Sequence, residues 1–462
     1  MNKNISFIIL ILVIVTGTIS CNKFLERPPE GQMTEAEALK TEADIVAFAN
    51  GVYTLLSDNV FLGGRHQVMN ELLGDEYLGD FFTGDYSEIY KRQNSIFGGT
   101  RDDYYKKAYA VITRSNIILS KLDLTTTQRN LVEGEAKLFR AIGHFEMVRM
   151  FAQPWGYTPN NSHLGIPLRT KVDINSVQRS TVAEVYAQVI ADLKDAESLL
   201  PEVAEDGRFY TATKWAAKAY LAKVYFQQND FPNAFSAAND VMASQKFSLD
   251  SDYANRFSKG LSKEGILVIR DSVGAFTPGS GLRDNFRSDV SLPGFRFTTQ
   301  YYTIANARSV DKRKVWYSNT LQPGYNLLTK YNKNNFDLPL IHLTEIKLIR
   351  AEAGAESGGA NLATAITDIN DILTRAYGST AFNLPATASA ASVITNVRTE
   401  REFEMVGEGN RTQEIKRIGV RSGQNVDRRG SVWSCNGFIL QFPKAEFDAN
   451  QSFQLNPEGG CF

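Results

Sequence analysis

The stretch KWAAKAYLAKVYFQQNDFPNAFSAANDVMAS, residues 214–244, decides the class of fold. Apolar residues recur at helical spacing on both sides of the polar break QQND, and alanines fill many of the remaining positions. Apolar residues three and four positions apart form one face of an α-helix that packs on a neighbour. This stretch therefore predicts two helices joined by a short turn.

The same arrangement recurs later in the chain. Residues 343–376 contain a helical pattern, a Ser-Gly-Gly turn and a second helical pattern. In the first hairpin, the positions at which a tetratricopeptide repeat places its interlocking side chains are occupied by Tyr220, Tyr225, Phe231 and Ala234. Recurring helix hairpins stack into a right-handed array. Because the strict tetratricopeptide period is not kept, we predict a mainly α fold built from degenerate hairpins of this type.

Two more helices are predicted before this hairpin. Residues 129–151 place apolar side chains near one face and small residues such as Gly134 and Gly143 between them. Thr181 and Glu184 form the pattern of a capping box at the start of the other helix, which Pro201 ends.

Two zones do not fit the helical pattern. Residues 246–340 are rich in Gly, Pro, Ser and aromatics, and only GILVIRD, 265–271, indicates a strand. Residues 63–99 form a smaller irregular zone with many aromatics. Long loops inside a compact domain are usually functional, so we expect ligand-binding residues in these two zones, with a few short strands.

The N-terminus has the pattern of a bacterial lipoprotein signal. Lys3 precedes nine apolar residues, 7–15, a run too short to span a membrane comfortably. Cys21 follows small and polar residues, and Pro28 and Pro29 lie in the polar segment after it. We expect residues 1–20 to be removed, Cys21 to be acylated, and the segment after it to be an exposed tether.

The lipidation motif is imperfect, because Thr18 stands where Leu is usual, although Ile19 and Ser20 fit. The alternative is a free cysteine beside an ordinary cleavage site. Two other cysteines, Cys435 and Cys461, can pair in an exported protein, but their spacing alone does not decide it.

Composition and charge exclude some classes of function. The 462-residue chain has 43% hydrophobic and 22% charged residues, with a net charge of −1. A nucleic-acid-binding protein needs a basic patch or stripe, which this composition does not suggest. The four histidines are widely separated, and no His-Glu-x-x-His, Cys-x-x-Cys, Gly-x-Ser-x-Gly or phosphate-loop motif occurs. We predict no catalytic residues, metal or cofactor.

Two rival classes of function stay open. A surface glycoside hydrolase needs two carboxylates beside the sugar, and an aromatic-rich stretch supplies Asp75, Glu76, Asp80 and Asp85. The simpler interpretation of these four residues is a solvated acidic loop. A protein scaffold is the other rival, but a scaffold does not need two long aromatic loops.

Several segments together resemble the SusD/RagB family of outer-membrane nutrient-binding lipoproteins of the Bacteroidetes. They lie in order over nearly the whole chain: CNKFLERPPEGQMTE (21–35), GEAKLFRAIGHFEMVRMFAQPWG (134–156), RSTVAEVYAQVIADLKDAESLLPE (179–202), LPLIHLTEIKLIRAEAGAESGG (338–359), VRTEREFEMVGEGNRTQEIKRIG (397–419) and FPKAEFDANQSFQLNP (442–457). Each motif is weak alone, and six in order are specific.

The resemblance implies a lipid-anchored protein on the exterior of the outer membrane. Its implied partner is a SusC-like TonB-dependent transporter, over which the lipoprotein sits as a lid, and its implied ligand is a glycan or sometimes a peptide. We divide the chain into the signal 1–20, an N-terminal helical part 21–245 and a C-terminal part 246–462 packed with it as one unit.

Ligand contacts are expected from aromatic rings, because the C–H faces of sugars stack on them. The predicted ligand-binding residues are Tyr77, Phe82, Tyr86, Arg283, Tyr301 and Trp316. We favour Trp316 and Tyr86, because charged or polar residues beside them suggest rings that present a face to solvent. The alternative for every ring is packing beneath a loop.

The Cys21 assignment predicts a change in location. Cys21→Ala removes the acylation site, so we expect the protein to move from the membrane fraction to the soluble fraction without loss of folding. Asn22→Ala is the control that keeps the protein in the membrane fraction. An unmodified mature N-terminus in mass spectra of the wild-type protein contradicts the lipid assignment.

Overall fold

The computed structural model describes residues 38–173, 175–204, 209–271 and 278–461. The leader, including Cys21, lies outside the described residues. Fifteen α-helices and ten short strands occur in the described part, which confirms the predicted mainly α class. The helices are α1 Glu42–Ser57, α2 Arg65–Leu73, α3 Gly84–Tyr90, α4 Gly99–Ser120, α5 Arg129–Phe151, α6 Val182–Leu199, α7 Lys214–Gln227, α8 Phe231–Ala243, α9 Ser280–Phe286, α10 Thr299–Ala305, α11 Leu343–Ser357, α12 Asn361–Tyr377, α13 Ala390–Glu404, α14 Arg411–Ser422 and α15 Lys444–Ala449.

The strands form five separate antiparallel pairs. They are β1 Tyr77–Leu78 with β6 Arg296–Phe297, β2 Gln93–Asn94 with β10 Gly459–Gly460, β3 Leu164–Pro167 with β4 Arg179–Thr181, β5 Gly265–Ile269 with β9 Leu338–His342, and β7 Tyr317–Ser318 with β8 Leu327–Leu328. The strand predicted at 265–271 is β5. Each pair fixes the position of a loop, and the pairs do not join into a larger sheet.

Helix α5 is the central helix of the array, and it packs against α4 on one side and α6 on the other. Its two glycines permit this contact. A Cβ at Gly143 would lie 2.8 Å from the side chain of Ile112, and a Cβ at Gly134 would lie 2.8 Å from that of Leu200. These separations are too short for real atoms, so the close packing of α5 requires glycine at both positions.

The two predicted hairpins are α7 with α8 and α11 with α12. Asp230 caps α8 by accepting a hydrogen bond from the Asn233 amide, and Tyr220 and Ala234 are buried between the helices. The predicted capping box of α6 is also present, since Thr181 and Glu184 each accept from the other's backbone amide. Local capping and apolar spacing therefore define the helical part as predicted.

A buried ion-pair network attaches the irregular zone 246–340 to the helices. The carboxylate of Glu404, at the end of α13, accepts hydrogen bonds from Arg256 at 3.0 Å, Arg375 at 2.8 Å and Arg313 at 3.3 Å. All four side chains are buried. Although burial alone raises the pKa of Glu404, the three guanidinium groups lower it to about 2, so the carboxylate stays ionised.

One hydrophobic cluster extends from Leu39 to Phe453 and contains residues from both sides of position 245. A smaller cluster fills the space between α11, α12 and α13. The domain division stays a prediction. In the described residues, no helix combines the length and apolar character needed to cross a membrane.

The two C-terminal cysteines, left open by their spacing, form a disulfide between Cys435 and Cys461. Their Cα atoms are 5.2 Å apart. The bridge attaches the end of the chain beside β2, where the amide side chain of Asn94 also donates to the carbonyl of Pro457 at 3.0 Å. The tail is thus held by a covalent bond and a short strand pair.

This bridge makes a stability prediction. It closes a loop with a sequence separation of 26 residues, for which the chain-entropy model gives about 3.5 kcal/mol of stabilisation. We expect the double variant Cys435→Ser/Cys461→Ser to lose about that free energy of unfolding in denaturant titrations under oxidising conditions. Reductant should lower the wild-type stability to the variant's value, and equal stability of the two proteins without reductant would contradict the role of the bridge.

Candidate ligand-binding site

The two irregular zones meet at one strand pair. In the β1–β6 register, Tyr77 lies opposite Phe297 and Leu78 lies opposite Arg296. The amide of Thr298 also donates to the carbonyl of Glu76 at 3.0 Å. Residues separated by more than 200 positions in the chain therefore lie side by side, and the two zones predicted to supply ligand contacts are joined here.

An aromatic column supports the surface at this junction from below. The ring of Tyr77 stacks on Phe297 with centroids 4.6 Å apart and meets Phe295 edge-on at 5.1 Å. Phe295 in turn stacks on Phe286 at 4.2 Å. All four rings are buried. Much of the aromatic excess in the two zones therefore builds a core that fixes the loops.

Three of the six predicted ligand-binding residues lie in this core. Tyr77 and Tyr301 are buried, and Trp316 is only 3% exposed. The prediction that Trp316 presents a face to solvent is wrong. Its ring packs edge-on against Tyr253 at 4.9 Å, and the Lys330 ammonium lies 3.9 Å from its centroid. These three side chains support the surface and are not accessible to a ligand.

The other three predicted residues, Phe82, Tyr86 and Arg283, are half-buried. Phe82 packs against Tyr86 at 5.6 Å and against Phe295 at 4.9 Å, so it connects the column to the surface. A Cβ at Gly294 would lie 2.5 Å from the Phe82 ring. Glycine at 294 is therefore needed for Phe82 to reach the column.

The exposed part of the surface consists of residues outside the predicted set. The ring of Phe81 is 49% exposed and that of Tyr325 is 36% exposed, and the two meet edge-to-face at 6.4 Å. The Arg296 guanidinium lies over Phe81 and 4.6 Å from the Tyr325 centroid. We call Phe81, Arg296 and Tyr325 the aromatic patch.

A local signal for Tyr325 exists in the sequence. It follows Pro323 and Gly324, and its amide closes a turn on the carbonyl of Gln322 at 3.2 Å, which directs the ring outwards. Arg296 has no such signal, because its position depends on pairing with β1. Consecutive phenylalanines 81 and 82 likewise give no indication in the sequence of which one faces outwards.

The aromatic patch has the groups that a sugar ring requires. Two exposed rings at a steep angle offer a face and an edge to the C–H surface of a sugar. The Nη1 atom of Arg296 is buried without a hydrogen-bond partner among the described residues, while Nε donates to the carbonyl of Pro293 at 3.1 Å. A guanidinium held in this way fixes the two rings that pack on it.

The interpretation of residues 75–85 as a solvated acidic loop is wrong for two of its four members. Asp75 and Glu76 are buried, whereas Asp80 is exposed and Asp85 is half-buried. Asp75 accepts two hydrogen bonds from Arg411, at 2.7 and 2.8 Å, and two from Arg428, at 2.8 Å each. These arginines hold the pKa of Asp75 below its usual value in spite of burial.

Glu76 has the opposite environment. Burial raises its pKa well above the usual value, and the neighbouring Glu71 and Glu402 carboxylates raise it further. Burial also raises the pKa of Glu71 to about 7. The pKa values of these two adjacent carboxyl groups are therefore shifted in opposite directions, which favours the ionised form of Asp75 and the protonated form of Glu76. Asp75 is enclosed by its two arginines and cannot serve a substrate as base or nucleophile.

The histidines take structural roles in the described residues. His144 is buried in α5, where burial lowers its pKa to about 3. His342 is the last residue of β9 and the cap of α11, and its Nε2 lies 2.9 Å from a carboxylate oxygen of Glu408. No group of three or more possible metal ligands occurs within the described ranges.

Two family models together match residues 23–456. Residues 205–456 match the model described as SusD family, and residues 23–226 match the model described as starch-binding associating with outer membrane. A SusD-like protein, P2, from Formosa agariphila is 25% identical over 510 residues, which cover 98% of this chain and 95% of that protein.

Solved structures share the fold. A SusD superfamily protein from Bacteroides thetaiotaomicron matches with a TM-score of 0.80 at 21% identity, over 91% of this chain and 100% of that one. The surface glycan-binding protein A from Bacteroides uniformis matches with a TM-score of 0.73 at 20% identity, over 90% and 99% of the two chains. These structures have the same helical architecture as this chain.

The contrast between Asp75 and Glu76 predicts that two isosteric variants differ in stability. Asp75→Asn removes the buried carboxylate that two guanidinium groups share and should lower stability by about 3 to 5 kcal/mol. Glu76→Gln replaces a group that already holds a proton, so we expect it to retain the wild-type fold.

The pH dependence separates the two variants further. A glutamate whose pKa is higher in the folded than in the unfolded protein stabilises the folded state at pH values below its unfolded-state pKa. This contribution is lost as the pH rises towards the folded-state pKa. Denaturant titrations from pH 5 to 7 should therefore show a smaller fall in stability for Glu76→Gln than for wild type. An unchanged slope would contradict the protonated state of Glu76.

Proposed function

Because this chain belongs to the SusD family, we propose that it is a cell-surface binding lipoprotein that captures glycans. The observation that carries the proposal is the aromatic patch at the junction of the two irregular zones. The captured oligo- or polysaccharide passes to a partner SusC-like TonB-dependent transporter of the outer membrane. The lipid on Cys21 holds the binding domain at the exterior of that membrane.

Two properties of the patch support a glycan ligand. Phe81 and Tyr325 are exposed although they belong to a region in which most rings are buried, so their exposure is specific to these positions. The supporting residues Phe82, Phe295 and Tyr77 fix the loops that carry them. A rigid, partly apolar surface with few donors binds sugars with little loss of conformational entropy.

Weak binding at one patch is sufficient for a protein that captures its ligand at a membrane surface. A lipid-anchored protein stays close to its transporter, so a released ligand is at high local concentration near the channel. The proline-containing tether after Cys21 gives the domain reach from the membrane. Affinity of the patch therefore needs to favour repeated binding and release rather than long residence.

The enzyme alternative lacks a suitable pair of groups in this region. Asp75 is held by Arg411 and Arg428, and Glu76 is buried beside Glu71. A glycoside hydrolase needs two carboxyl groups that both reach the scissile bond. A peptide ligand is the second candidate, since the Arg296 guanidinium also binds carboxylates and carbonyl groups.

We expect Phe81→Ala and Tyr325→Ala each to weaken binding of a soluble glycan ligand by roughly tenfold, because one ring contact contributes about 1 to 2 kcal/mol. Their melting temperatures should stay near that of wild type, since both rings are exposed. Calorimetric titration with a panel of soluble polysaccharides, paired with melting curves, measures both quantities.

Two further variants make this test specific. Phe97, 68% exposed, is an aromatic residue outside the patch, so Phe97→Ala should leave binding unchanged. Tyr77→Ala removes a ring from the core and should lower stability by about 3 to 5 kcal/mol. The proposal fails if Phe81→Ala and Tyr325→Ala bind every ligand as wild type does, and turnover of a glycan by purified protein would establish the enzyme instead.

A further inference from the structure

A cavity lies away from the aromatic patch, between α13, α14 and the loop that follows α14. Its volume is about 300 Å³, near the lower end of the range for small-ligand sites. Four arginines line it, Arg398, Arg401, Arg411 and Arg428. Such a concentration of guanidinium groups in one small space requires anions for balance.

Three of the four arginines have their anions in the protein. Arg411 and Arg428 share Asp75, at 2.7 and 2.8 Å, and Glu402, at 3.8 and 2.6 Å. Arg398 donates to Glu352 at 2.8 Å. These pairs neutralise the walls of the cavity.

Arg401 is different, although it is only 2% exposed. Its Nε and Nη2 atoms have no hydrogen-bond partner among the described residues. The carboxylate of Glu414 lies 3.9 Å from Nε, beyond hydrogen-bond distance, and Glu414 already accepts from Arg417 at 2.7 Å. The guanidinium carbon of Arg401 lies 4.7 Å from the ring centroid of Phe226, which holds it from one side.

A buried guanidinium with two unmade hydrogen bonds is unfavourable unless a partner enters the cavity. The geometry of a guanidinium matches that of a carboxylate, which accepts two parallel hydrogen bonds. Because the neighbouring arginines are already paired and the carboxylate of Glu414 lies near Arg401, the lining leaves little positive charge to balance. That charge fits a monoanion better than a dianion such as phosphate or sulfate.

The rest of the lining offers groups for hydroxyls. Thr399 and Gln424 are exposed at the cavity, and Glu76 has a carboxyl oxygen without a hydrogen-bond partner in the described part of the chain. The Nε atom of Arg428 is also unpartnered within those residues. Donors and acceptors thus surround the space beside Arg401.

We propose that this cavity binds a hydroxylated monocarboxylate of the size of one sugar acid, with its carboxylate on Arg401 and its hydroxyls on the opposite lining. The ligand is either a free sugar acid or the acidic end of a short oligosaccharide. The proposal does not depend on glycan binding at the aromatic patch, because Arg401 and Phe81 belong to different surfaces.

The test uses the complete folded domain and calorimetric titration with D-glucuronate, with D-glucose as the neutral probe and inorganic phosphate as the dianionic probe. We expect glucuronate to bind at least tenfold more tightly than either. Arg401→Gln should weaken glucuronate binding at least tenfold, and Thr399→Val, at an exposed position, should weaken it about threefold.

Phe81→Ala is the matched control, because it alters the aromatic patch and should leave glucuronate binding unchanged. A glucuronate-terminated disaccharide distinguishes the two sources: tighter binding than the monosaccharide identifies the end of an oligosaccharide, and equal binding identifies the free acid. If Arg401→Gln does not fold, the Thr399→Val titration and competition by phosphate carry the test.

Three results overturn the proposal. The first is that glucuronate does not bind, which leaves water as the only partner of Arg401. The second is that glucose binds as tightly as glucuronate, and the third is that phosphate binds more tightly than glucuronate. Loss of glucuronate binding in Phe81→Ala would instead assign the acid to the aromatic patch. Failure at this cavity is therefore distinguishable from failure at the patch.

Discussion

The carboxylate of Glu404 is the contact on which the irregular part of the molecule depends. It stands at the end of α13 and joins Arg256 and Arg313 from the loops to Arg375 from α12. A buried charge of this kind gives little net stability compared with apolar packing, but removing it takes away the one carboxylate that all three cations share. The network therefore fixes where the long loops attach, and the loops carry the proposed ligand-binding surface.

Much of the helical architecture follows from local sequence. The hairpins are predictable because apolar spacing, the capping box at Thr181 and Glu184 and the turn at Asp230 act within a few residues. The aromatic patch is not predictable in this way, because its geometry depends on pairing between β1 and β6. In that register Arg296 lies opposite Leu78, and no nearby residue indicates it. The sequence therefore predicts the two zones, but it does not predict which of their rings are exposed.

Charged neighbours in the sequence misled the prediction at Trp316. The residues before it include Arg313, and a charged flank suggests a ring near solvent. Arg313 is instead 1% exposed, because Asp311 and Glu404 neutralise it in the interior. The solvated interpretation of Asp75 fails for the same reason, since Arg411 and Arg428 accompany it into the core. Charge alone does not indicate exposure in a protein whose interior contains extended ion-pair networks.

One short segment, residues 75–81, contributes to both candidate sites. Asp75 pairs with arginines of the cavity, Glu76 lines the cavity, Tyr77 enters the aromatic column, and Phe81 reaches the solvent. Its position is fixed at one end by the Asp75 ion pairs and in the middle by the stack of Tyr77 on Phe297. Because these contacts are rigid, the segment holds the two surfaces at a fixed separation. A sequence change at Asp75 or Tyr77 therefore acts on both surfaces, whereas a change at the exposed Phe81, at Tyr325 or at Arg401 acts on one.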